Sequence, residues 1–121
     1  MSKHILLVED EADNMQILRD TLVNADYRIS EAQNGEEALE AVAKERPDLI
    51  LMDIQLPIMD GYEATRRIKA DASLRSIPII AITSYALGSD EERARAAGCD
   101  DFVAKPYSPR DLLARIRRYL G

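Results

Sequence analysis

Leu49-Ile50-Leu51-Met52-Asp53 is an unbroken apolar run that ends on a carboxylate. Apolar side chains at both odd and even positions suit a central parallel strand, because helices cover both of its faces. Upstream, Asn34-Gly35 precedes Ala38, Leu39 and Val42 at helical spacing, and Pro47 stops that helix beyond Lys44 and Glu45. Downstream, a helix starting near Gly61 carries Ala64 and Ile68. The central unit is therefore helix, buried strand, helix.

The same alternation extends to both ends. Ile5 to Val8 is too short for a helix, and Met15, Leu18, Leu22 and Ala25 follow at spacings of three and four. Tyr27 to Ser30 reads as a weaker, half-exposed strand. Pro78 opens a fourth strand that continues through Ile79 to Ile82 and passes by Thr83-Ser84 into a charged, Ala-rich helix, with Gly98 at its C′ position. Phe102 to Ala104 is the fifth strand. After Lys105-Pro106, Ser108 caps a helix from about Pro109 with Leu112, Leu113, Ile116 and Leu120 as its apolar stripe. Strands alternating with helices predict an α/β fold with a parallel sheet. Crossovers of one hand gather the carboxyl ends of the strands on one edge, where ligands bind in such sheets.

A chain of 121 residues is the size of one domain, expected to span 1–121 without linker or repeat. A net charge of -6 disfavours direct binding to nucleic acid or to an anionic membrane, so a protein partner is expected. Cys99 is the only cysteine, which excludes an internal disulfide and a thiolate metal cluster, and a structural thiol is expected there. His4 is the only histidine, so a Ser-His-Asp or zinc site is hard to build. The N-terminus shows neither a signal-peptide pattern nor a long apolar span, and a cytoplasmic location is expected.

On the strand-end edge the chain places Glu9 and Asp10, Asp53, Thr83 and Ser84, and Lys105. Any one of these is what a solvated strand end carries; together they make a site. Crowded carboxylates repel, and a hard cation with oxygen ligands resolves the conflict, so magnesium is the expected metal. Such an ion neutralises charge in phosphoryl transfer, and a carboxylate such as Asp53 can then attack phosphorus. Lys105 supplies a compact positive charge that pairs with Asp53 or with a phosphoryl oxygen. Thr83 supplies a hydroxyl donor.

Leu6-Leu7-Val8-Glu9-Asp10, the run from Asp53 to Gly61 (DIQLPIMDG), Thr83-Ser84 and Lys105-Pro106 resemble the response-regulator receiver family in type, order and separation. The resemblance covers essentially the whole chain and implies a flavodoxin-like, doubly wound sheet of order 2-1-3-4-5 flanked by five helices. It implies Asp53 as phosphoacceptor, Asp10 as a direct magnesium ligand, Glu9 as an outer one, and Gln55 lending its backbone carbonyl. Thr83 and Lys105 would hold the phosphoryl group, the Lys105-Pro106 bond would be cis, and Phe102 would be the switch aromatic. As a bare residue, Phe102 reads equally as core. Ser84 departs from the smaller Ala or Gly usual after the switch threonine. Gln55 and Tyr85 occupy positions where the family tunes access of hydrolytic water.

The resemblance further implies a sensor histidine kinase or histidine phosphotransfer protein as donor. It also implies a protein that promotes its own phosphorylation and dephosphorylation rather than turning over a substrate. With no further domain expected beyond Gly121, output would be contact with a downstream protein target or transfer to another carrier. Glu91, Glu92, Arg93 and Arg95 on the fourth helix suit either that surface or a solvated face. Two other readings compete. A haloacid-dehalogenase-type phosphatase needs a second acid two places after the nucleophile, where Gln55 stands; a pure binding module would not need the full acidic, hydroxyl and lysine set.

Overall fold

The computed structural model describes residues 2–83 and 88–121. Its elements are β1 (His4–Val8), α1 (Ala12–Asn24), β2 (Arg28–Ala32), α2 (Gly35–Lys44), β3 (Leu49–Asp53), α3 (Gly61–Ala70), β4 (Ile79–Thr83), α4 (Gly88–Ala97), β5 (Asp101–Ala104) and α5 (Pro109–Leu120). The five strands form one parallel sheet in the order β2-β1-β3-β4-β5.

Side-chain alternation along the inner strands divides the core in two. Ile5, Leu7, Leu49, Leu51, Ile80 and Ile82 point to the face covered by α1 and α5, where they meet Met15, Leu18, Leu22, Leu112 and Ile116. Leu6, Val8, Ile50, Met52, Ile79 and Ala81 point to the opposite face, against Ala38 and Val42 of α2, Ala64 and Ile68 of α3, and Ala94 and Ala97 of α4. β1, β3 and β4 are buried at every position, as strands covered on both faces must be. Chain order reverses direction between β1 and β3, so a crevice opens at their carboxyl ends.

Helix starts follow local chemistry. Asn34 Oδ1 accepts from Glu37 N–H at 2.9 Å, Asp60 Oδ1 from Glu63 N–H at 2.9 Å, and Ser108 Oγ from Asp111 N–H at 3.1 Å. Each side chain satisfies a donor that the first helical turn leaves open. Gly98 follows α4 with φ of 109°, the left-handed conformation that glycine adopts without cost.

The second strand is displaced from expectation. It runs Arg28–Ala32, in register with His4–Val8, because pairing to β1 fixes an edge strand that its own polar residues, Ser30 and Glu31, obscure. Tyr27 lies before it, after Asp26 turns the chain at φ of 68°. Pro78 lies just outside β4, where its carbonyl accepts from Ile50 N–H at 2.9 Å. His4 opens β1 and is buried, with Nε2 bonded to Ser30 Oγ.

Candidate functional site

Three strands deliver the site. β1 ends at Val8, so Glu9 and Asp10 fall on the first loop; β3 ends on Asp53 itself; and the residue after β5 is Lys105. One carboxylate oxygen from each of Glu9, Asp10 and Asp53 lies within 4.8 Å of the other two, which makes them, among the described residues, the one cluster of acids or metal-binding side chains close enough to share an ion. Glu9 and Asp53 are buried, whereas Asp10 is exposed at the mouth.

Lys105 closes the cluster from the β5 side. Its Nζ lies 3.2 Å from Asp53 Oδ2 and 3.2 Å from Glu9 Oε1. Burial works against its charged form, but the charges of Asp53 and Glu9 and the hydrogen bonds to both outweigh it, and the Lys105 pKa is raised. Glu9 feels the crowding from the other side. Burial, a hydrogen bond shared with Asp53 and repulsion by the Asp53 charge push its carboxyl up to about 7, against the lowering effects of the Glu11 N–H and the Lys105 charge. One ammonium is insufficient for this many carboxylates.

A hard divalent cation fits that deficit. The donors are all oxygens and one of the acids is open to solvent, the ligand chemistry that magnesium takes.

The loop from β3 to α3 is tied down at glycines. A Cβ on Gly61 would stand 2.3 Å from the Asp53 carbonyl oxygen, and one on Gly35 would stand 2.5 Å from the Met59 carbonyl oxygen. Gly61 N–H donates to Ile54 O at 3.1 Å and Gly35 N–H to Met59 O at 3.0 Å. Between them Ile58 adopts φ of 69° with its side chain 76% exposed, flanked by a Met59 N–H to Pro57 O bond of 2.7 Å. The backbone N–H of Gln55 donates to Asp53 Oδ1 at 3.0 Å, while its side-chain Nε2 donates to Thr83 Oγ1 at 3.0 Å. Thr83, at the end of β4, is fully buried.

Phe102 is half-buried, sits opposite Ala81 in the β4–β5 ladder and packs against the core on the α2–α4 face. The Lys105-Pro106 peptide is cis. Ser84 and Tyr85 lie outside the described residues. Beside Lys105, an apolar groove of about 380 Å³ runs between α1 and the start of α5, lined by Asn14, Ile17, Lys105, Pro106, Tyr107 and Pro109. On α4, Arg93 stacks over the Tyr62 ring at 4.5 Å and Arg95 pairs with Glu91 at 3.3 Å, so part of that charged face is engaged within the fold.

Three contacts were not visible in the sequence. Neither the bond between Lys105 and Glu9, nor that between the Gln55 side chain and Thr83, nor the burial of His4 carries a local signature, because each joins separate strands.

An acidic crevice at the β1/β3 switch point of a 2-1-3-4-5 sheet, faced by a lysine from β5, is the layout of a receiver domain. The family model of the response regulator receiver domain matches residues 5–117, and the chain belongs to that family. Polar-differentiation response regulator DivK of Brucella anthropi is 45% identical over 121 residues, covering 100% of this chain and 98% of that protein. The receiver domain of a sensor histidine kinase of Pseudomonas aeruginosa, solved with a magnesium ion coordinated in its active-site cleft, superposes with a TM-score of 0.93 at 39% identity, over 100% of this chain and 99% of that one. A chemotaxis response regulator of Vibrio cholerae superposes with a TM-score of 0.92 at 28% identity, over 98% and 99%. Among the described residues no helix is long and apolar enough to cross a membrane.

Proposed function

We propose that the chain is a phosphorelay receiver in which Asp53 accepts a phosphoryl group from a phosphohistidine on a sensor histidine kinase or histidine phosphotransfer protein. The observation that carries this is the convergence of Glu9, Asp10 and Asp53 with Lys105 at the strand ends.

In the step, a carboxylate oxygen of Asp53 bonds to phosphorus as the P–N bond breaks, and the electron pair of that bond returns to the imidazole of the donor. Water later attacks phosphorus and restores the carboxylate. Asp10, Asp53 and the Gln55 carbonyl would hold magnesium, with Glu9 as an outer partner; the ion supplies positive charge to the phosphoryl oxygens. Gln55 N–H and Lys105 Nζ, each bonded to a different oxygen of Asp53, hold the carboxylate in one orientation. Lys105 then exchanges a carboxylate partner for a phosphoryl oxygen, and the Thr83 hydroxyl donates to another. The groove beside Lys105 gives a protein donor an apolar surface on the approach to Asp53.

Phosphorylation adds about 1.5 to 2 negative charges and strong acceptor oxygens. Thr83 moves towards them, Phe102 turns into the space it leaves, and the surface of β4, α4 and β5 shifts towards its active form. Ser84 neighbours this movement by sequence. The output is contact with a downstream protein.

The test pits acceptance against turnover. Incubated with a small acyl phosphate and magnesium, the protein is expected to gain one phosphoryl group while leaving a simple phosphoester intact. Sustained hydrolysis of the phosphoester would instead mark it as a phosphatase.

A further inference from the structure

Among its described residues, α4 buries only Ala94 and Ala97, whereas α1 buries Met15, Leu18 and Leu22 and α5 buries Leu112 and Ile116. Buried apolar area is what fixes a helix to its sheet, and two alanines supply little of it. A helix anchored this lightly belongs to the part of a fold that shifts in a switch. Its side chains also reach α3 through a directional contact: the Arg93 guanidinium lies over the Tyr62 ring, 4.5 Å from its centroid. The Tyr62 hydroxyl donates to the Asp90 carbonyl at 3.4 Å, a length at which a hydrogen bond adds little.

The two partners are tied to different parts of the molecule. Tyr62 is 5% exposed and follows Gly61, whose N–H donates to Ile54 O at 3.1 Å and where a Cβ would stand 2.3 Å from the Asp53 carbonyl oxygen. The ring is thereby fixed to the strand end that carries Asp53, while Arg93 rides on the helix that follows β4. In the same arrangement the Asp53 carboxylate is free, its two oxygens held by Gln55 N–H at 3.0 Å and Lys105 Nζ at 3.2 Å. Stack and free carboxylate therefore belong to one state.

We propose that the Arg93–Tyr62 stack is a latch that holds α4 in the placement it has while Asp53 is a free carboxylate, and that opens when α4 shifts on phosphorylation. The proposal rests on Asp53 being the acceptor and on that shift of α4. A cation–π contact acts only within about 6 Å of the ring centroid, so a modest movement of α4 against the anchored ring breaks it. A contact made in one state alone biases the equilibrium towards that state, and its removal releases the bias. The latch thus sets how much stabilisation the phosphoryl group must supply before the surface of α4 changes.

Affinity for a phosphoryl mimic tests this. Beryllofluoride, a tetrahedral mimic of the phosphoryl group on a carboxylate, is titrated with magnesium into the parent, Arg93→Gln, Tyr62→Leu and the double variant. Binding is read from the amide NMR spectrum, with circular dichroism as the check on folding. Arg93→Gln is expected to bind the mimic about two- to fivefold more tightly, the scale of one exposed cation–π contact. Loss of a positive charge would by itself weaken an anionic probe, so the sign separates the latch from a simple charge effect. In the Tyr62→Leu background, Arg93→Gln is expected to change affinity by less than about 1.5-fold, because its partner ring is gone. Tyr62→Phe, which keeps the ring and loses the hydroxyl, is expected to bind as the parent does. In the parent, the Arg93 side-chain protons are expected to lie upfield through the ring current of Tyr62, and to move downfield when the mimic binds.

Unchanged or weaker affinity in Arg93→Gln would overturn the proposal, because the stack would then be no stronger in one state than in the other. Arg93 is exposed, so this arm holds whether or not Tyr62→Leu folds. Equal tightening by Arg93→Gln with and without the Tyr62 ring would overturn it too, by showing that Arg93 acts elsewhere. An upfield Arg93 shift that survives saturation with the mimic would show that the stack does not open. Failure of the parent itself to bind beryllofluoride is a different result, and counts against Asp53 as acceptor.

Discussion

The Lys105 ammonium stands 3.2 Å from Asp53 Oδ2, joining the residue that follows β5 to the last residue of β3. The same nitrogen stands 3.2 Å from Glu9 Oε1, so one cation is shared between two buried carboxylates, one at the end of β3 and one just after β1. Lys105→Ala removes it without touching the oxygen donors. Adduct formation is expected to slow by about a hundredfold, as when a preorganised donor to a developing oxyanion is lost, while magnesium binding by titration calorimetry survives. Asp10→Ala should do the reverse and abolish tight metal binding. Loss of the metal in Lys105→Ala, or its retention in Asp10→Ala, would contradict these assignments.

Glu9 makes the metal-free protein sensitive to pH. Its carboxyl rises from 4.5 to about 7 on folding, so the folded state binds the proton more tightly than the unfolded chain. Its contribution to stability is complete below about 4.5 and is lost as pH rises through about 7. Melting curves in a chelator are expected to show Tm falling across this window more steeply for the parent than for Glu9→Gln. Added magnesium should raise Tm most at the alkaline end. Parallel slopes for parent and variant would show that Glu9 does not titrate as its surroundings require.

Gly61 is where the backbone comes closest to itself. A methyl group there would meet the Asp53 carbonyl oxygen at 2.3 Å and the Ile54 Cα at 2.9 Å, and neither atom belongs to a movable side chain. Gly61→Ala is expected to cost about 3 kcal/mol in urea unfolding, the upper end of overpacking penalties, and to slow adduct formation by displacing Asp53. A variant as stable as the parent would contradict the packing.

Ile58 offers the opposite opportunity. A β-branched residue at φ of 69° is strained, and its side chain is 76% exposed, so little packing offsets the strain. Ile58→Asn, which accepts this conformation, is expected to raise stability by about 0.5–1 kcal/mol. Destabilisation of that size would show that the isoleucine packs in solution.

The sheet was legible because its inner strands are apolar on both faces and Ser108 marks the start of the last helix. β2 was displaced because an edge strand is defined by its partner: Ser30 and Glu31 look like the end of a strand until His4–Val8 is laid beside them. In the site, strand ends predict which residues meet, since the topology puts them on one edge. What they do to one another is not in the sequence. That Glu9 is buried against Lys105, and that the Gln55 side chain reaches Thr83, depends on side-chain reach between strands far apart in the chain.

The central claim is that the carboxylate of Asp53 accepts the phosphoryl group. Intact mass after incubation with a small acyl phosphate, with and without magnesium, measures it for the parent and for Asp53→Asn. An adduct of one phosphoryl group is expected only in the parent with metal. Its absence there, or its persistence in Asp53→Asn, would contradict the account.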